Sequence, residues 1–64
     1  MKVNGEIIHL HSEISLADFV AQQGYRKERI AVELNGEIIP KSAYDDTMVT
    51  EADTMEIVHF VGGG

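Results

Sequence analysis

The residues with the clearest chemical potential stand at the end of the sequence, where Val61 is followed by Gly62, Gly63 and Gly64. Because glycine has no side chain, we expect these residues to form a thin arm on which the α-carboxylate of Gly64 is the reactive group. A partner that holds ATP and Mg²⁺ can convert such a carboxylate into an acyl-adenylate. A sulfur nucleophile that displaces the adenylate then leaves a C-terminal thiocarboxylate. The alternative is a frayed chain end without a function.

The absence of cysteine sharpens this hypothesis. Without a thiol, the carboxyl terminus is the place where this chain could hold sulfur covalently as a nucleophile. The same absence removes disulfides, thiolate catalysis and cysteine-based zinc sites. It is compatible with a reducing compartment such as the cytoplasm.

The remaining polar residues give weaker signals. His9 and His11 have the i, i+2 spacing of one strand face, but the sequence fixes no third ligand beside them or beside His59. The acidic residues at positions 45–46 and 51–53 lack the spacing of a calcium-binding loop. We therefore expect surface histidines, solvated acidic loops, and neither a metal site nor a cofactor bound by this chain.

Size and charge exclude several classes of function. A chain of 64 residues with 44% apolar composition can build one small core but not the walls of a deep substrate pocket. An enzyme acting alone is therefore not expected. The net charge of −6 would repel nucleic acids and anionic membranes and attract a basic protein partner. With no long apolar run, the sequence predicts a cytoplasmic protein.

A β-hairpin is predicted at the start of the chain. Asn4-Gly5 separates residues 1–3 from residues 6–10, and Asn-Gly is preferred in two-residue type I′ turns because both positions need a positive φ. In this register Met1 lies opposite Ile8. The two-residue repeat then gives an inward face of Met1, Val3, Ile8 and Leu10 and an outward face of Lys2, Ile7, His9 and His11.

A short helix is predicted next. Ser15 is a favourable N-cap, Asp18 suits the positive end of the helix dipole and a capping box, and Gly24 is a favourable residue just after the helix. The spacing of three and four predicts an inward stripe of Leu16, Phe19, Val20 and Gln23.

The second half of the chain predicts three more strands. Residues 30–34 alternate apolar and other residues, Asn35-Gly36 repeats the turn signal, and residues 37–39 form a strand that Pro40 ends. The charged residues 26–29 are predicted as a solvated connector, and residues 41–46 as a helical turn or loop with Tyr44 packed on the body. The last strand, residues 54–61, is apolar on both faces near its end, as expected for a central strand or one that reserves a face for a partner.

The order of these elements predicts an α+β fold. Strand, strand, helix, strand, strand, strand is satisfied by a mixed sheet of four or five strands packed on one helix. The β-grasp arrangement fits this order, with the first and last strands parallel and adjacent. We expect residues 1–61 to form this domain and residues 62–64 to form a flexible tail.

Two segments carry a resemblance to a known family. Residues 32–40 read Val-Glu-Leu-Asn-Gly-Glu-Ile-Ile-Pro, and residues 56–64 read Glu-Ile-Val-His-Phe-Val-Gly-Gly-Gly. With the hairpin and the capped helix, they make the chain similar over its whole length to the ThiS-type sulfur carriers of thiamine biosynthesis, β-grasp relatives of ubiquitin.

The resemblance implies a function and partners. It implies that Gly64 is adenylated by an E1-like adenylyltransferase, which uses ATP and Mg²⁺, and that sulfur arrives from a donor such as a cysteine desulfurase. The resulting thiocarboxylate would supply sulfur to thiazole synthase, so the chain would be a protein co-substrate and not an enzyme. By the same analogy, Val58 and Phe60 lie on the sheet face opposite the helix and contact the adenylating partner, together with Val61, Gly62 and Gly63.

Two alternatives remain open at the level of the sequence. The small subunit of molybdopterin synthase uses the same kind of tail, although its members are usually longer. A ubiquitin-like modifier, or a module that binds without covalent chemistry, would share the fold but form an isopeptide bond or no bond at all.

Overall fold

The structure is a computed structural model that describes residues 1–60. Within these residues it contains seven short strands and one α-helix. The bounds are β1 Lys2–Val3, β2 Glu6–Ile7, β3 Ile14–Ser15, α1 Leu16–Gln22, β4 Ile30–Leu34, β5 Glu37–Ile38, β6 Met48–Val49 and β7 Thr54–His59. Single 3₁₀ turns occupy Lys27–Arg29 and Lys41–Ala43. The helix has seven residues, and none of the helices described here is long and apolar enough to cross a membrane.

The main sheet has five strands in the order β2-β1-β7-β4-β5. Strand β7 lies in the centre, parallel to β1 on one side and antiparallel to β4 on the other. The hairpin partners β2 and β5 form the two edges. The predicted β-grasp fold is therefore confirmed, with its mixed sheet, its single helix and its adjacent parallel first and last strands.

The helix begins and ends where its capping residues predict. The Oγ of Ser15 accepts a hydrogen bond from the N–H of Asp18 at 3.1 Å, as an N-cap does. At the other end Gly24 has a φ of +87°, the N–H of Gly24 donates to Ala21, and the N–H of Tyr25 donates to Val20. This Schellman motif satisfies carbonyl groups that the last turn would leave unpaired.

The segment after Pro40 supplies hydrogen-bond acceptors to the first turn of the helix. The N–H of Leu16 donates to the carbonyl of Thr47 at 2.7 Å, and the N–H of Ala17 donates to the carbonyl of Tyr44 at 3.0 Å. Together with the Ser15 cap, these bonds satisfy three of the four N–H groups that a helix leaves free at its start. Tyr44 is fully buried, which confirms its predicted packing, and burial raises the pKa of its hydroxyl.

The core lies between the helix and the inner face of the sheet. Phe19 contributes a fully buried ring, and the alternation along β4 and β7 follows the two-residue repeat of a half-buried strand. The buried residues are Met1, Val3, Leu16, Phe19, Val20, Ile30, Val32, Leu34, Tyr44, Val49, Met55 and Ile57.

Both Asn-Gly turns have the predicted geometry and a second role. Asn4 and Asn35 each have a φ of +51°, and the glycines that follow also have positive values. The side chain of Asn4 accepts from the N–H of Ile57 at 2.7 Å and donates to its carbonyl at 3.3 Å. The side chain of Asn35 accepts from the N–H of Thr54 at 2.9 Å. Each turn therefore binds the central strand from its own side.

The first hairpin confirms the predicted register but is shorter than predicted. Met1 and Ile8 exchange two backbone hydrogen bonds of 2.9 Å, and the predicted inward and outward faces are confirmed. The second strand, however, ends at Ile7 and not at Leu10. The reason is that the N–H of Leu10 donates to the Oε2 of Glu51 at 2.6 Å instead of to a neighbouring strand.

Other boundaries also differ from the sequence-based expectations. Strand β5 ends one residue early, at Ile38, and β7 ends at His59, so that Phe60 follows the strand. Gln23 is exposed and not part of the inward stripe, because it is the C-cap after which the chain reverses at Gly24. The pairing of β3 with β6 in a separate two-stranded sheet was not predicted.

Glu51 connects three parts of the fold. In addition to Leu10, its carboxylate lies 3.0 Å from the Nδ1 of His9 and 3.2 Å from the α-amino nitrogen of Met1. The pKa of Glu51 is lowered from 4.5 to about 2. The largest cause is the hydrogen bond from the Leu10 N–H, and the contacts with His9 and the amino group add to it. The ionised carboxylate therefore fixes the chain beyond β2 to the turn before β7.

We predict that Asn4→Gly destabilises the chain by about 1–3 kcal/mol, because two hydrogen bonds to Ile57 are lost while the positive φ remains unstrained. Asn4→Asp is the matched control, since its carboxylate can still accept from the Ile57 N–H, and it should lose less. Urea unfolding midpoints measure the difference. Equal stability of Asn4→Gly and the parent chain would contradict the role given to this side chain.

We predict that Glu51→Gln lowers the melting temperature at neutral pH and that this difference shrinks in acid. A carboxyl with a lowered folded-state pKa stabilises the fold above its unfolded pKa, and the effect is lost as the pH falls from 4.5 towards 2. Melting curves across this range test the sign. Glu13→Gln, at an exposed position, is the control. A difference that grew on acidification would show the assignment to be wrong.

Candidate functional site

The site predicted from the sequence begins where the central strand ends. Strand β7 runs through the middle of the sheet and is followed by Phe60, the last described residue. The backbone remains paired at this point, because the N–H of Phe60 donates to the carbonyl of Arg29 at 2.8 Å. Val61, Gly62, Gly63 and Gly64, which were predicted as site residues, lie outside the described residues.

The side chains at the end of β7 divide between the two faces as predicted. Met55 and Ile57 are buried in the core, whereas Val58 is 59% exposed and Phe60 is 47% exposed. A contiguous patch of exposed apolar side chains is typical of a surface that binds a partner, whereas single exposed apolar residues are common. Val58 pairs with Ala31 and lies on the face opposite the core, as assigned. Phe60 follows the strand, and the contact of either residue with a partner remains a prediction.

Basic residues surround Phe60, although the chain as a whole is acidic. Arg26 and Arg29 line a shallow depression together with Glu28 and the Phe60 ring. The Nζ of Lys41 lies 5.7 Å from the centre of that ring, within the range of a cation–π interaction. The surface from which the last residues of the chain depart is therefore locally positive.

These basic residues were missed by sequence reasoning, which treated residues 26–29 as a solvated connector. The signal that could have found them is the register of β4 against β7. Ile30 pairs with His59, so the residues just before β4 must lie beside those just after β7. Lys41 could not have been found in this way, because it reaches the ring through the turn that follows Pro40.

The histidines lie at separate places on the surface. His9 contacts Glu51, whereas the ring of His59 lies 6.2 Å from that of Tyr25, at an angle of 42°. Within residues 1–60, no group of three or more histidine, aspartate or glutamate side chains is placed to hold a metal ion. The candidate site is therefore the end of β7 together with the exposed face of the sheet.

Comparison with known proteins identifies the family. The sequence model of the ThiS family matches residues 1–64 of this chain. The chain belongs to the ThiS family. The sulfur carrier protein ThiS of Bacillus subtilis is 34% identical to it over 65 residues, which cover 100% of this chain and 98% of that protein.

A solved structure and a longer relative extend the comparison. The crystal structure of the thiamine biosynthesis protein ThiS from Geobacter metallireducens superposes with a TM-score of 0.80 at 32% identity, covering 98% of this chain and 96% of that one. A thiazole synthase from Paramagnetospirillum magneticum is 37% identical over 62 residues. This chain spans only 19% of the length of that thiazole synthase.

Proposed function

We propose that this ThiS-family chain carries sulfur as a thiocarboxylate on Gly64. The observation that carries the proposal is that the family match extends to residue 64 and so includes Gly62, Gly63 and Gly64. The composition supports it, because a chain without cysteine offers no thiol as an alternative carrier of sulfur. The proposed cytoplasmic location agrees with this, since such chemistry needs ATP and reduced sulfur.

The proposed chemistry has two steps, both carried out by partners. A carboxylate oxygen of Gly64 attacks the α-phosphorus of ATP on an E1-like adenylyltransferase, pyrophosphate leaves, and an acyl-adenylate forms. A hydrosulfide equivalent, derived from a donor such as a cysteine desulfurase, then attacks the acyl carbon, and AMP leaves with the electron pair of the broken C–O bond. ATP and Mg²⁺ are bound by the adenylyltransferase, and this chain is a protein co-substrate.

The surface at the end of β7 is suited to this role. The enzyme that binds residues 61–64 must also meet the side chains at which β7 ends. There it would find the exposed apolar groups of Val58 and Phe60 beside Arg26, Arg29 and Lys41. We propose that Val58, Phe60 and Val61 contact the adenylyltransferase, while Gly62 and Gly63 let the chain enter a narrow channel.

Thiazole synthase is proposed as the acceptor of the sulfur. Two proteins named thiazole synthase, from Paramagnetospirillum magneticum and Magnetococcus marinus, contain a segment similar to this chain, which spans 19% of each. Covalent joining raises the effective concentration of one module beside the other. Such joining is useful when the two modules act together, which supports thiazole synthase as a partner of the separate chain.

The direct test is mass spectrometry of the full chain after incubation with ATP, Mg²⁺, an adenylyltransferase and sulfide. The proposal expects a mass gain equal to the exchange of one oxygen for sulfur, dependent on ATP. Attachment to a lysine of another protein would instead indicate a ubiquitin-like modifier. No change in mass under any condition would indicate a module that binds without covalent chemistry.

We predict that a peptide appended after Gly64 abolishes adenylation and leaves the melting temperature unchanged. The α-carboxylate would then be an amide, which cannot attack ATP, while residues 62–64 contribute no side chain to the core. The control is an extension that a protease cleaves directly after Gly64, because cleavage should restore adenylation. An extended chain that gained sulfur at Gly64 before cleavage would refute the assignment.

We predict opposite outcomes for the two phenylalanines. Phe19→Ala removes a fully buried ring and should cost about 3–5 kcal/mol, comparable with the whole stability of a small domain. Phe60→Ala should stay folded but lose about 2 kcal/mol or more of binding to the adenylyltransferase, as an interface hot spot does. Denaturant midpoints and binding isotherms separate the two effects. A Phe60→Ala chain that unfolds, or binds as tightly as the parent, would contradict this prediction.

A further inference from the structure

Two glutamates face each other at the centre of the main sheet. In the antiparallel pairing of β4 with β7, Glu33 is the direct partner of Glu56. Their neighbours Val32 and Ile57 are also partners and are both buried. Because successive side chains point to opposite faces, both carboxylates lie on the sheet face away from the helix, which we call the outer face. Directly opposed residues of this kind have Cβ atoms about 4.5–5.5 Å apart.

This pair is not neutralised within the described chain. The ion pairs formed among residues 1–60 both involve Glu51 and neither of these glutamates. Lys2 shares the outer face, but its register partner on β7 is Thr54, and it forms no ion pair with Glu56. Like charges directly opposite each other destabilise a sheet, so this arrangement weakens the free chain.

Exposed apolar side chains surround the two carboxylates. Val58 pairs with Ala31 on the outer face, two residues along each strand from the glutamate pair. Ile38, which is 67% exposed, pairs with Glu33 on the other side. A partner that covered these apolar groups would also remove water from the carboxylates, and a buried carboxylate needs a cationic hydrogen-bond donor.

We propose that the outer face of Ala31, Glu33, Ile38, Glu56 and Val58 docks a protein surface that places an arginine guanidinium between the two carboxylates. A guanidinium is planar and has five N–H donors, so a single side chain can serve both acceptors. The inference rests on the proposed function in taking the adenylyltransferase to be that protein. It adds to Val58 and Phe60 the charge complementarity that selects the partner.

Charge also decides against the other occupants of this face. A second copy in a symmetric dimer would apply the same patch to itself and would bring four glutamates together. Nucleic acids and anionic membranes carry the same sign of charge as the patch. A protein with an arginine in an apolar surround is the occupant that relieves the repulsion.

The test compares Glu33→Gln, Glu56→Gln and the double variant with the parent chain in ATP–pyrophosphate exchange by the adenylyltransferase. We expect the double variant to raise the KM for the chain about tenfold or more at low salt, with kcat unchanged. Added salt should raise the parent's KM more steeply than that of the variant. The melting temperature of the double variant should rise by roughly 1–8 °C, because the repulsion is removed.

Glu37→Gln is the matched control. It removes one negative charge from the neighbouring strand β5, but Glu37 pairs with the buried residue Leu34, so it does not lie on the outer face. Its KM should equal that of the parent.

Several outcomes would overturn the inference. If the parent is a substrate and the double variant has the KM of Glu37→Gln, the carboxylate pair takes no part in docking, and the proposed function stands. If the double variant melts lower and binds worse, the glutamates are structural. Self-association of the parent that the double variant lacks would assign the face to a second copy. Absence of exchange with the parent chain itself would refute the proposed function, and this inference with it.

Discussion

The fixed position of strand β7 is the constraint on which the rest of the structure depends. Its backbone is paired with β1 on one side and β4 on the other, and the side chains of Asn4 and Asn35 add hydrogen bonds at Ile57 and Thr54. Buried polar groups of a strand are costly when unpaired, so this double attachment gives β7 one register. The end of β7 therefore has a fixed position in the sheet.

Two regions of the exposed surface along β7 carry opposite charge. Glu33 and Glu56 lie at the centre of the outer face, whereas Arg26, Arg29 and Lys41 gather around Phe60. Electrostatic complementarity contributes more to orientation and specificity than to affinity. A partner that matched both regions would approach in one orientation, as the proposed delivery of Gly64 to an adenylyltransferase requires.

The sequence predicted those features that are set by local chemistry. The Asn-Gly turns, the Ser15 cap, the Gly24 stop and the burial of Met55 and Ile57 each follow from a few neighbouring residues, and they are confirmed. Other features depend on contacts between residues more than 30 positions apart, so no local pattern contained them. They are the β3–β6 pairing, the contacts of Glu51 and, through the Glu51–Leu10 hydrogen bond, the early end of β2. The basic surroundings of Phe60 needed the strand register, which only the fold supplies.

The outer face, which we propose to bind a partner, carries features that cost a small domain stability. A chain of 64 residues has little stability to lose, yet it keeps an opposed pair of carboxylates and leaves Ile38 and Val58 open to water. Replacement of either glutamate by a polar, uncharged residue would remove the repulsion without disturbing the core. Departures from local rules that lack a structural compensation are expected at functional surfaces. The opposed carboxylates lie on β4 and β7, and β7 is the strand that precedes the residues proposed to react.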